Sequence, residues 1–344
     1  QETPADRRST ADIYSAVLGK SDPDARLDTP QKKLWAYRAA SLYFRLADFK
    51  KAAKWNNAMI IAEKAQPALH WTLPQLYENR ALIFRDRKQP PEEFDAAIKA
   101  MECLNELGPL EQNPSAAASI YETLGRAYSD VGKLLLRGVS PEDRETLLEL
   151  TSRADALAFG GDSAAWADRT EKRDYDDRQR ACYEYAARLR EERFTFHSSD
   201  TFRTYINLAY CAGVCAMRAK NEPERLRQEA ARQLRWSRQA LEISERSSTG
   251  AYSNMGLAYG ALGDYAREKE AFETLLVRRR QNSEKGDSRL YELQALLYLI
   301  EACKHGGDNE EASKRYKEVQ ALAKQLGVEE LFAHNLEEAG EGLL

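Results

Sequence analysis

Six positions, Ala40, Ala81, Gly125, Gly213, Gly256 and Ile300, fall along the chain at steps of 41, 44, 88, 43 and 44 residues. The long step is twice the ordinary one, and all but the last position are Ala or Gly. A regular step of this length is the mark of one supersecondary unit copied along the chain, each copy burying its apolar face only against its neighbours. The cleanest copy is TGAYSNMGLAYGALGDYAREKEAFETLL, residues 249–276. There Tyr252, Met255, Gly256 and Tyr259 share one helical face, Gly263-Asp264-Tyr265 makes a turn, and Phe272 follows on a second helix. A residue without a side chain at Gly256 lets the two helices approach closely while aromatics fill the space on either side.

This pattern resembles the tetratricopeptide repeat (TPR), whose signature runs W-x2-L-G-x2-Y and then A-x3-F. Tyr252 takes the aromatic place, Met255-Gly256 the Leu-Gly place, and Tyr259 and Phe272 the next two. Glu268 departs from the family's small residue in the second helix. Another copy, SIYETLGRAYSDVG, carries Tyr121, Leu124, Gly125, Tyr128 and Gly132 in register. The resemblance covers residues 30–327. It implies an all-α, right-handed α-solenoid of about seven helical hairpins. The family repeat is about 34 residues. A step near 44 therefore lengthens each helix by roughly 7 Å at about 1.5 Å per residue, a long-helix variant.

Punctuation along the chain places the copies. Thr29-Pro30 is a cap with Pro at the first helical position, and Ala47-Asp48-Phe49 is the first turn. Pro74, Pro90-Pro91 and Asn113-Pro114 open further helices, and Gly108-Pro109 closes one. The third hairpin is expected to be completed by the stretch after Gly132, restarted at Ser140-Pro141. Gly160-Gly161 breaks the chain into two blocks, and residues 162–197, with Trp166, read as a degenerate hairpin. The expected organisation is a flexible N-terminal segment 1–29, hairpins one to three over 30–160, hairpins four to seven over 161–327, and a C-terminal capping helix 328–344.

Composition narrows the function. Charged residues are 31% of the 344, but 51 basic and 55 acidic residues give a net charge of −4, without the basic excess usual in nucleic-acid binders. No apolar run approaches the roughly 18 residues that span a membrane. Cys103, Cys182, Cys211, Cys215 and Cys303 lie scattered inside helical patterns and read as structural thiols, with no metal expected. The histidines His70, His197, His305 and His334 are far apart, and no nucleophile motif, phosphate loop or dinucleotide fingerprint occurs. His197-Ser198-Ser199-Asp200 reads as a loop in which Ser199 or Asp200 caps the next helix. The expectation is a non-enzymatic chain without cofactor. Its polar first residues, with Pro4 and Pro23, resemble a segment behind a removed export signal, favouring an exported or periplasmic location over a cytoplasmic one.

Binding of a protein or peptide partner is left as the leading function. The family resemblance implies that the first helices of successive hairpins line a concave groove. Carried onto this sequence, the groove residues are Tyr37, Phe44, Arg45, Arg85, Arg126, Tyr210, Arg218 and Lys304. Guanidinium groups pair with carboxylates while aromatics supply apolar area, so an acidic or carboxylate-terminated segment with apolar side chains is the expected occupant. Glu78, Asp86, Glu122, Asp130 and Glu301 sit nearby and compete for the same bases. The expected role is a scaffold or adaptor, for instance within a bacterial envelope or transport assembly; the alternative is a sensor closing around a small ligand or short peptide.

Overall fold

The computed structural model describes residues 4–19, 27, 29–66, 72–108, 113–160, 172–193, 198–244, 249–282 and 288–343. Pro23, His70, Pro109, Gly161, Trp166 and His197, named above, lie outside them. Among the described residues there are fifteen α-helices and no strand. The chain divides into two compact units, Gln1–Arg193 and Phe194–Leu344.

The first unit holds α1 (Pro4–Gly19), α2 (Pro30–Arg45), α3 (Phe49–Lys64), α4 (Thr72–Asp86), α5 (Pro90–Glu106), α6 (Pro114–Arg137), α7 (Pro141–Phe159) and α8 (Lys172–Arg193). Their starts follow from side-chain capping. Thr29, Asn113 and Ser140 each accept a hydrogen bond from the backbone N–H three residues on, and each precedes a proline at the first helical position. The second unit holds α9 (Ser199–Arg218), α10 (Pro223–Ile243), α11 (Thr249–Leu262), α12 (Tyr265–Asn282), α13 (Ser288–His305), α14 (Asn309–Leu326) and α15 (Ala333–Gly340). Here Ser198, rather than Ser199 or Asp200, is the cap of α9, accepting from Thr201 N at 3.1 Å.

One turn recurs in both units. Asp48 N, Gln89 N, Asp264 N and Asp308 N donate to the carbonyls of Tyr43, Phe84, Tyr259 and Cys303 at 2.9 to 3.0 Å. The residue before each donor, Ala47, Lys88, Gly263 or Gly307, has a left-handed φ of 57° to 76°. This is the Schellman closure of a helix, and three of the four turns then use Asp48, Asp264 or Asp308 to cap the next helix. The same backbone device at four places is the structural counterpart of the sequence step.

The three repeat glycines make the expected close contacts, with one change of partner. A Cβ added at Gly256 of α11 would lie 2.5 Å from the Phe272 ring of α12. At Gly213 of α9 it would collide with the Gln233 amide of α10. At Gly125 of α6 it would meet Cys182 Cβ and Gln179 O, both at 3.1 Å, and these belong to α8. The helix completing the Gly125 contact is therefore α8, and the stretch from Ser140-Pro141, expected to do so, forms α7, which packs mainly on α5. Arg153 of α7 pairs with Glu102 of α5 at 2.5 Å, which holds it there.

The N-terminal stretch, expected as a flexible segment, carries α1. Ala11 is fully buried, Tyr43 donates to Asp12 at 2.7 Å and Trp55 Nε1 donates to Ser15 at 2.9 Å. At the other end α15 packs on α13 and α14, where Gly340 leaves room for the Tyr316 ring. No helix among the described residues is long and apolar enough to cross a membrane.

Candidate partner-binding site

Where α2, α3 and α4 meet, a recess of about 80 Å³ opens. From α2 come Tyr37, Ser41 and Phe44, so two of the sequence-assigned groove residues converge on it. Tyr37 is 49% exposed and stands at the rim. Phe44 meets Phe49 edge-on with ring centroids 5.8 Å apart, which fixes one wall. Met59 of α3 and Leu76 and Ile83 of α4 are buried and make the floor apolar.

Three polar groups interrupt that lining. Asn56 of α3 is buried, and its Nδ2 donates to the Leu76 carbonyl at 3.0 Å. That bond fixes which end of the amide is which, because a carbonyl needs a donor. The other end, Oδ1, has no partner among the described residues. Asn79 and Ser41, both half-buried on the wall, make no side-chain hydrogen bond among the described residues. The recess thus presents one uncommitted acceptor, one uncommitted primary amide and one uncommitted hydroxyl, none of them charged. A buried acceptor without a partner costs about 1–3 kcal/mol, which a bound N–H would recover.

The basic groove residues are placed differently. Arg85 is held by its neighbour Asp86, Nη2 to Oδ1 at 2.6 Å. Arg126 donates to Thr123 at 3.2 Å, and its field acts on two carboxylates, the half-buried Glu78 and the buried Glu93. Burial and then the neighbouring Asp130 push Glu93 up to about 8, against the pull of Arg126 and Arg85. Glu78 is also raised, by burial, while Ser119 donates to it at 2.5 Å. Lys304 pairs with Glu301 at 3.2 Å and donates to the Glu338 carbonyl of α15 at 3.2 Å. Arg45 is exposed and makes no hydrogen bond or ion pair among the described residues. Arg218, on the last turn of α9, is exposed, and Tyr210, two turns earlier, is 60% exposed. The structure therefore gathers Tyr37 and Phe44 into one recess, and none of the basic groove residues lines it.

The sequence reading missed Asn56 and Asn79. Both sit inside helices whose periodicity marks an apolar face, and the only signal was a polar residue on that face. The five cysteines are thiols, four of them buried. Burial pushes Cys103 up to about 11, so its thiol is a poor nucleophile.

No protein-family model matches the chain, and no curated protein matches it. Among solved structures it is similar to BtubC (BKLC) from P. vanneervenii, with a TM-score of 0.52 and 14% identity over 81% of this chain and 91% of that one. Weaker likenesses are human IFIT1, a dimer with m7Gppp-AAAA, at TM-score 0.22 and 12% identity over 91% and 94% of the two chains, and Naa15/Naa10 bound to HypK-THB, at 0.21 and 13% over 97% and 66%. At 14% identity the first speaks to fold alone, and the scores of the other two are too low to carry an argument. The chain has an all-helical repeat fold, its helices packed in neighbouring pairs.

Proposed function

We propose that this chain is a non-enzymatic interaction scaffold of the tetratricopeptide type, which holds an extended segment of a protein partner against its first helices. The single observation carrying the reading is the recess between α2, α3 and α4, where uncommitted Asn56 Oδ1, Asn79 and Ser41 surround an apolar floor. An extended backbone offers alternating N–H and C=O groups, and a primary amide can satisfy one of each. The recess, at about 80 Å³, is far below the roughly 300–1,000 Å³ of small-molecule sites and suits a single aliphatic side chain. The segment is apolar and uncharged at this anchor, with Arg45 free to meet a carboxylate farther along. Arg85, Arg126 and Lys304 are engaged by the chain's own groups and contribute less to recognition.

The test is selection of short peptides from a display library on the full chain. Selected peptides are expected to share an aliphatic residue. Their affinity should fall about tenfold in Asn79→Ala, the equivalent of one or two lost hydrogen bonds. Tyr37→Ala should weaken them as well, and Arg85→Glu should change little. Peptides that bind Asn79→Ala and Tyr37→Ala as tightly as the parent would contradict the reading.

A further inference from the structure

The unit containing α9 to α15 holds a cavity of about 390 Å³. That volume is within the range of small-molecule sites, about 300–1,000 Å³. Tyr210, Met217 and Leu257 line it and are 60%, 58% and 39% exposed, an apolar wall left open to a ligand. Two glycines open the interior to polar side chains from the following helix. Gly213 makes room for Gln233, which is 2% exposed and makes no side-chain hydrogen bond among the described residues. Gly260 makes room for Glu268, since a Cβ there would lie 2.5 Å from Glu268 Oε1. Glu268 is the residue that departs from the repeat pattern, and the cavity supplies the reason: its carboxylate lines the wall instead of packing.

Glu268 is 4% exposed, and a carboxylate buried among apolar walls is costly unless paired. Its partner is His305 Nδ1, at 3.1 and 3.2 Å from the two oxygens. Burial raises the carboxyl above its ordinary range, opposed by that hydrogen bond. The His305 side chain is 46% exposed and rests on the Tyr265 ring, centroids 5.3 Å apart, so it can turn to solvent when another cation takes over the carboxylate. Asn254 Nδ2 donates to the Ile206 carbonyl at 3.5 Å, and Oδ1 is uncommitted among the described residues. Lys220 also lines the cavity, but it is exposed and solvent-screened, whereas an anion would have to sit against the buried Glu268.

We propose that this cavity binds a small organic ammonium ion carried on an apolar body. The Glu268 carboxylate is the counter-ion, and the ammonium takes the place of His305 on it. The amide oxygens of Gln233 and Asn254 accept the remaining N–H groups, and Tyr210, Met217 and Leu257 cover the apolar part. The site is separate from the recess of the other unit and stands or falls independently of it.

Calorimetric titration of the full chain with benzylammonium, benzyl alcohol, phenylacetate and a blocked Ala-Lys-Ala peptide tests this. Benzylammonium is expected to bind at least tenfold more tightly than the neutral and anionic probes and more tightly than the peptide. Glu268→Gln, nearly identical in shape, should erase that preference. His305→Ala should raise benzylammonium affinity several-fold, because it removes the competing partner; a purely structural pair would give no such gain. Equal affinity for the three aromatic probes would overturn the proposal. So would lack of saturable binding, a preference surviving in Glu268→Gln, or tighter binding of the lysine peptide.

Discussion

Asp155→Ala is expected to destabilise the first unit by about 3–5 kcal/mol, the cost of breaking a buried ion pair from one side. Asp155 of α7 accepts from Arg178 Nε at 2.9 and 3.1 Å, from Arg178 Nη2 at 2.8 Å, and from the Tyr128 hydroxyl at 2.7 Å. Asp155 and Arg178 are 3% and 1% exposed, so water cannot replace what is lost. These contacts tie α7 to α6 and α8, and Thr151 adds a hydroxyl contact to Tyr175 at 3.1 Å. Urea denaturation followed by circular dichroism measures the effect as a fall in midpoint. The double replacement Asp155→Leu with Arg178→Met should recover much of the loss, because removing both charges also removes their desolvation cost. A single variant as stable as the parent would show that α7 is not anchored through this pair.

Gly256→Leu is expected to cost about 3 kcal/mol or more. Overpacking typically costs about 1–3 kcal/mol, and here the clash is with a ring that cannot retreat. Phe272 is 1% exposed and stacks on Tyr298 with centroids 5.1 Å apart and planes 21° from parallel. The added Cβ alone would stand 2.5 Å from the ring, so even Gly256→Ala should lower the melting temperature, and Leu should lower it further. An unchanged melting temperature in Gly256→Leu would remove the close helix contact from the account of the fold.

Much of the fold was legible because its determinants are local. Thr29, Asn113 and Ser140 announce helix starts, Asp48 and Asp264 announce turns, and Gly125 and Gly256 mark close contacts. The partner of Gly125 was not legible. Reading along a chain assigns each helix to its successor, and nothing local to Pro141–Phe159 says that it packs on α5 and leaves Lys172–Arg193 to meet α6. The doubled step between Gly125 and Gly213 was the available signal, and it accommodated an extra helix as readily as an extra hairpin. The N-terminal helix was missed because its anchoring contacts are specific hydrogen bonds from Tyr43 and Trp55, which leave little apolar periodicity behind.

The sites divided in the same way. Tyr37, Phe44 and Tyr210 lie on the first helices of their pairs, and each lines a cavity. The basic residues were read with five acids nearby as competitors, and two of those acids are their partners, Asp86 for Arg85 and Glu301 for Lys304. Asn56, Gln233 and Glu268 could not be recognised as cavity groups from sequence, because each lies on the second helix of its pair, where the pattern expects packing. For Glu268 the departure from the small residue was itself the clue, with Gly260 making room for it on the helix before.

The most direct measurement of the central claim, that the first helices hold the partner segment, is photo-crosslinking of a display-selected peptide to the full chain. One probe replaces Tyr37, on α2, and the other replaces Ile61, 61% exposed on α3. The account predicts efficient crosslinking from position 37, abolished by excess unlabelled peptide, and none above background from position 61. Crosslinking from position 61 equal to or greater than that from position 37 would contradict it.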